Sequence, residues 1–241
     1  MKNSNTSDDF EKTAIMDIWK EKKSKDSSIK VQDEVVRKGK KAVRFRINKG
    51  ESLDHGEAHN RLEEFDELIE RKDLGPIEGE NYCYSFSIFL PKDFPIYEEK
   101  TTLAKWKQNE FYGIHHLNKA VLSLRYKAGE LSLLLETSDK KKVLYSTQLE
   151  VRGKWLDFVF HLRFSRAEDG FVRVWLNKRQ IVDFGGITAH FERHSEPFRF
   201  YFVMGLHRNK MDKTITAYYD EYSKHKLYSK ELKRPKRVWG N

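Results

Sequence analysis

Residues 82–90 place Tyr82, Tyr84, Phe86, Ile88 and Leu90 at every second position, and the same two-residue period recurs along most of the chain. A face that repeats every two residues suits a half-buried strand and is of no use to a helix. Pro91 and Pro95 close that segment, since proline cannot donate to a ladder. Residues 42–47 alternate apolar and basic side chains, bounded by Lys38-Gly39-Lys40 and Asn48-Lys49-Gly50. Further strand-like text covers residues 29–31, 35–36, 101–108, 121–126, 131–136 and 143–149. It continues at residues 155–164, 171–176, 180–184, 198–206 and 214–222. Turn signals at Gly129, at residues 139–142 and 165–170, and at Asn177-Lys178 separate these pieces. About a dozen short strands with few helical periods predict an all-β sandwich or barrel rather than an α/β architecture. No repeat of fixed period is visible.

The 16 Phe, 11 Tyr and 5 Trp are enough to fill a core although 34% of the residues are charged. A length of 241 residues without an internal Pro/Gly/Ser linker fits one domain. The expected organisation is an N-terminal extension at 1–28 that is partly ordered, a sandwich at 29–223 and a basic tail at 224–241. Within the extension, residues 10–19 form an amphipathic patch that reads as a short helix or a strand edge.

The net charge of +9 and the pI near 9.3 fit either a lysine-rich surface or a polyanionic partner. Charge alone does not choose among nucleic acid, anionic lipid and acidic glycan. Cys83 is the single cysteine, lies in an apolar strand and is expected as a buried thiol. No apolar leader and no bilayer-length stretch is present, so the expectation is either an intracellular chain or a secreted or periplasmic one already processed.

The order and spacing of several motifs resemble the heparin-lyase-like and glucuronan-lyase-like polysaccharide lyases, over about residues 35–222. The early strand is Val43-Arg44-Phe45-Arg46-Ile47, followed by Arg61-Leu62-Glu63, similar to the family's Arg-x-Glu segment. Tyr84-Ser85-Phe86-Ser87-Ile88-Phe89-Leu90-Pro91 resembles its strand with a proline stop. Lys105-Trp106-Lys107-Gln108 stands where the family often reads Gln-Trp-His-Gln. Gly153-Lys154-Trp155, then Asp169-Gly170 and Val174-Trp175-Leu176-Asn177, form the most specific stretch. Gly205-Leu206-His207-Arg208 resembles a strand end that usually reads Gly-x-Tyr-Arg, and Tyr218-Tyr219-Asp220 the last core strand. The resemblance implies a concanavalin-like jelly-roll β-sandwich and cleavage of a uronic-acid-containing polysaccharide by β-elimination. Two positions depart from the pattern: Lys107 replaces the family's His, and His207 its Tyr.

β-Elimination needs a cation to neutralise the uronate carboxylate, a base for the adjacent carbon-bound proton, and an acid for the leaving oxygen. His207 is the leading base or acid, because imidazole titrates near neutrality. Arg208 beside it is expected to clamp a carboxylate or sulfate with two parallel donors. Lys107 is a clamp for substrate charge or a base. Arg61 neutralises the uronate, with Glu63 holding it. Lys105 and Lys107 share one strand face, and Trp106 points into the core. Gln108 falls on the Trp106 face by strict alternation, and is a substrate contact only if the strand ends there. Arg125 is a substrate contact on the next strand, and Tyr126 a phenolic acid if His207 is the base. His115 and His116 reach the substrate from a loop. As neighbours on a strand they would face opposite ways, so no metal is expected there, and no cofactor either. Trp155, Trp175 and Asn177 read as core and turn residues, and Asp220 as structural.

Two other functions compete with a lyase. One is a non-catalytic module that binds acidic glycans on the same fold. The other is a nucleic-acid binder, which charge alone suggests and no recognised motif supports, so a nucleic-acid partner is not expected. Glucuronan, alginate, heparin-like chains and capsular polymers all carry carboxylates at similar spacing, so the polymer, endo or exo action and oligomeric state stay open.

Overall fold

The computed structural model describes residues 5–25, 28–49, 63–109, 120–191 and 196–227. Among them lie fifteen strands, numbered in chain order, in two antiparallel sheets. The back sheet runs β13 (Arg179–Gly185), β12 (Phe171–Leu176), β11 (Trp155–Arg163), β6 (Asn81–Phe89), β15 (Ile215–Leu227), β4 (Ala42–Ile47) and β3 (Ile29–Gln32), with β1 (Thr6–Asp8) also paired to β15. The front sheet runs β10 (Lys141–Thr147), β9 (Glu130–Glu136), β8 (Ala120–Lys127), β7 (Thr101–Gln108), β14 (Phe200–Asn209), β5 (Glu63–Glu70) and β2 (Trp19–Lys22). Strands β7 to β10 and β11 to β13 pair in chain order, whereas β6, β14 and β15 sit between strands distant in the chain, as in the expected jelly roll. The strand boundaries at 42–47, 101–108 and 171–176 coincide with those read from the sequence.

Three strands were not expected. β1 and β2 lie in the supposed extension, yet one pairs with β15 and the other with β5. Residues 10–16 between them are irregular, with no helix. β5 reads Glu-Glu-Phe-Asp-Glu-Leu-Ile-Glu, and its five carboxylates hide the alternation that marks a strand. Conversely, residues 35–36 form no strand.

The core fills the space between the sheets. Trp106 is fully buried at its centre, with ring centroids 4.7 Å from Phe160, 4.8 Å from Phe202 and 5.4 Å from Tyr84. Such tilted and edge-on aromatic pairs add about 1 kcal/mol each beyond their buried area. Trp155 and Trp175 are not core residues: both are half-buried on the outer face of the back sheet, against Phe89 and His161. Asn177 sits in the β12–β13 turn, where its side chain accepts the Asp157 N–H at 2.9 Å. Asp220 accepts the backbone N–H groups of Arg37 and Lys38, a structural role as expected.

The core-side carboxylates of β5 each have a partner. Glu64 meets Arg208 at 2.5 Å, both side chains fully buried. Asp66 accepts from the Ser24 N–H at 2.7 Å and from the Ser28 hydroxyl at 2.6 Å. Glu70 pairs with Lys224 and accepts from the hydroxyls of Tyr84 and Tyr222. Burial of these groups is tolerable because each is hydrogen-bonded, and Glu64 and Glu70 are ion-paired as well.

Candidate functional site

Alternation decides which side chains of the front sheet face outward. On β5 these are Glu63, Phe65, Glu67 and Ile69; on β14 they are Tyr201, Val203 and His207. Their neighbours on β7 are Lys105, opposite Val203, and Thr102, opposite His207. Four residues of β7 thus span five of β14, and a bulge accommodates the mismatch. Gly205 lies in the bulge with φ of +132°, and a Cβ there would sit 2.3 Å from the Asp66 carbonyl oxygen. The Tyr219 hydroxyl reaches across the core to within 2.8 Å of the carbonyl oxygens of both Leu103 and Gly205. The back sheet therefore pins the bulge that sets Lys105 against His207.

Four side chains converge there. The Lys105 ammonium donates to Glu67 and lies 2.7 Å from His207 Nδ1. Glu67 Oε1 is 3.2 Å from the same Nδ1, and Glu63 Oε2 is 3.3 Å from Nε2. Nδ1 accepts from the Lys105 ammonium in one tautomer and donates to Glu67 in the other. Lys22 from β2 closes the cluster, its amine 3.6 Å from the centre of the Phe65 ring. The hydrogen bond from His207 lowers the Glu63 carboxyl to about 2. Burial works against the charge on Glu67, but Lys105 and His207 outweigh it and keep it ionised. Burial also lowers Lys22, opposed by the charge of Glu67.

The site thus contains three residues expected from sequence, Lys105, Glu63 and His207. It also contains two that were missed, Glu67 and Lys22. Glu67 shares the face of Glu63 by a period of two, a signal available only once β5 is seen as a strand. Lys22 lies in the segment taken for an extension. Lys107 is half-buried on the same outer face, opposite Tyr201, one step along β7 from Lys105.

Three expected site residues point elsewhere. Arg208 follows His207 on a strand, so it faces the core, where Glu64 and the Lys213 carbonyl hold it. It is no substrate clamp. Tyr126 is likewise on the core side, its ring edge-on to Phe94 at 5.4 Å, and cannot protonate a leaving group on the outer face. Gln108 is fully buried and locked to His190 by two hydrogen bonds, from its own Nε2 to the carbonyl and from the backbone N–H to its Oε1. Arg61, His115 and His116 lie outside the described residues.

Arg125 belongs to the outer face. One row across the strands reads Phe65, His207, Thr102, Arg125 and Ser132. Arg125 reaches into a cleft of about 700 Å³ lined also by Lys100, Lys141, Gln148 and Asn209. Lys22, Lys105 and Lys107 share this outer face with the carboxylates of Glu63 and Glu67, and Glu98, Glu99 and Glu130 also line the cleft. Among the described residues, no group of three or more His, Cys, Asp or Glu is placed to hold a metal ion. No described helix is long and apolar enough to cross a membrane.

The two sheets form an antiparallel jelly roll whose front sheet carries a cluster of charged side chains around one imidazole. The family model for polysaccharide lyases matches residues 5–223, and the chain belongs to that family. No curated protein sequence gives a match. Among solved structures, the fold is similar to an endo-β-1,4-glucuronan lyase from the fungus Trichoderma reesei, with a TM-score of 0.70 at 15% identity over 89% of this chain and 93% of that one. It is also similar to an alginate lyase of polysaccharide lyase family 7, with a TM-score of 0.56 at 11% identity over 85% and 84% of the two chains. The cellulose-induced protein Cip1 shares the fold as well, with a TM-score of 0.58 at 16% identity over 91% and 96%.

Proposed function

We propose that the protein cleaves an acidic, uronate-containing polysaccharide by β-elimination at the Lys105–Glu67–His207 cluster. The contact that carries this reading is Lys105 Nζ at 2.7 Å from His207 Nδ1, a cation and a proton acceptor side by side on the outer side of the front sheet. A uronate carboxylate entering between Lys22 and Lys105 draws the Lys105 ammonium onto itself. That neutralises the carboxylate, stabilises the enolate-like charge and frees the lone pair on Nδ1. Nδ1 then takes the proton from the carbon bearing the carboxylate. The electron pair left behind forms the carbon–carbon double bond, and the bond to the glycosidic oxygen breaks. The imidazolium, flanked by Glu67 and Glu63, returns its proton to that leaving oxygen. The products are a chain with a new reducing-end hydroxyl and a chain that begins with an unsaturated uronate.

The second reading is a binding module without turnover. The closed hydrogen bonding favours it, since Lys105 and Glu67 both crowd the ring nitrogen that the proposed base would use. The readings separate by incubating the protein with a panel of polyuronates. Rising ultraviolet absorbance supports elimination, whereas salt-sensitive binding with constant absorbance at every pH supports the module.

A further inference from the structure

We infer that the Arg125 cleft is a second anion subsite, which takes the carboxylate of a sugar two units away from the one at His207; this deepens the glycan reading above. Arg125 follows His207 along the same row, with Thr102 between them. Two strand spacings separate the two, about 10 Å. A 1,4-linked pyranose advances its chain by about one such spacing, so a glycan laid across the strands brings every second unit to a matching position.

The state of Arg125 argues that this position awaits an anion. Its side chain is only 14% exposed, and it pairs with Glu136 at 3.9 Å. Among the described residues, its Nε is buried with no hydrogen-bond partner. A guanidinium has donors in a fixed fork, and leaving one buried without an acceptor is unfavourable. Lys100 and Lys141 line the same cleft and add positive charge. Lys100 is lowered by desolvation and then by the repulsion of Arg125 and Lys141, so the three cations lie within electrostatic reach of one another. Glu98, Glu99 and Glu130 also line the cleft, and Glu99 is engaged by the Asn209 amide at 2.8 Å. Ser132, Gln148 and Asn209 supply polar groups for sugar hydroxyls. A carboxylate entering here would meet a guanidinium whose ion pair among the described residues, with Glu136, is long at 3.9 Å.

The test is calorimetric binding of uronate oligomers of two to six units at low salt. The probes are glucuronate and mannuronate oligomers, their carboxyl-reduced forms, and a sulfated uronate–hexosamine chain. The expected result is an affinity step of about tenfold once an oligomer spans both positions, a step lost in Arg125→Gln and in the surface variant Lys100→Gln. Carboxyl reduction should abolish the step; its survival in the sulfated chain alone would assign the cleft to sulfate and overturn the carboxylate assignment. The same length dependence in wild type and both variants, or no binding of any long oligomer, would overturn the subsite. Binding does not require turnover, so a wild type that shows the step but makes no unsaturated product would sink the elimination mechanism and leave the subsite standing.

Discussion

Lys105 and His207 meet at 2.7 Å although they are not register partners: Lys105 lies opposite Val203, and His207 opposite Thr102. The bulge at Gly205 makes that meeting possible. The same geometry holds the lysine amine within hydrogen-bond distance of the imidazole.

Lys105→Met should lower kcat/KM on polyuronate by about 10²–10³, the usual loss when one oxyanion-stabilising donor is removed. Lys105→Arg should keep part of the activity because it keeps the charge. Steady-state kinetics on both variants, with circular dichroism to verify folding, checks this. Equal activity in Lys105→Met and wild type would contradict it.

Arg208→Met should destabilise the fold by about 3–5 kcal/mol, because it strands the Glu64 carboxylate inside the core. The affinity of refolded protein for polyuronate should not change. Denaturant unfolding and binding measurements together distinguish this from a substrate clamp, which would give the opposite pattern.

Tyr219→Phe removes the hydroxyl that bridges the Leu103 and Gly205 carbonyls. The expected stability loss is about 1–3 kcal/mol for the unsatisfied acceptors. Activity should fall further than stability, since the bulge positions Lys105 against His207. A variant with lowered Tm and full activity would separate the bulge from catalysis.

Burial, with the neighbouring Arg173 charge, lowers His161 on the back sheet from 6.5 to about 4. The folded state therefore resists protonation more than the unfolded state does. Stability is complete above pH 6.5 and is lost as pH falls toward 4, by at most about 3 kcal/mol. Glu63, lowered to about 2, acts in the same direction at lower pH, between its ordinary range and 2. Urea midpoints at pH 7 and pH 4.5 should differ markedly in wild type and less in His161→Phe.

The two-residue period made most strands legible, because one side of each packs on an apolar core. It failed where the buried face is polar. β5 packs Glu64, Asp66 and Glu70 inward against Arg208, Ser24, Ser28 and Lys224, partners that no local pattern foretells. With β5 hidden, Glu67 was hidden too. His207 and Lys105 could be found from residue type and position, whereas Arg208 was misjudged by ignoring alternation. Tyr126 fell to the same rule, since it shares a strand with Arg125 and faces the other way.

The most direct measurement is ultraviolet detection of unsaturated uronate from a polyglucuronate or polymannuronate chain, run side by side on wild type and His207→Asn. The proposed chemistry requires accumulating product with wild type and a rate at least about 10²-fold lower in the variant, with polymer binding retained. Undiminished turnover by His207→Asn would mean that the proton moves elsewhere, and the cluster on β5, β7 and β14 would not be the catalytic centre.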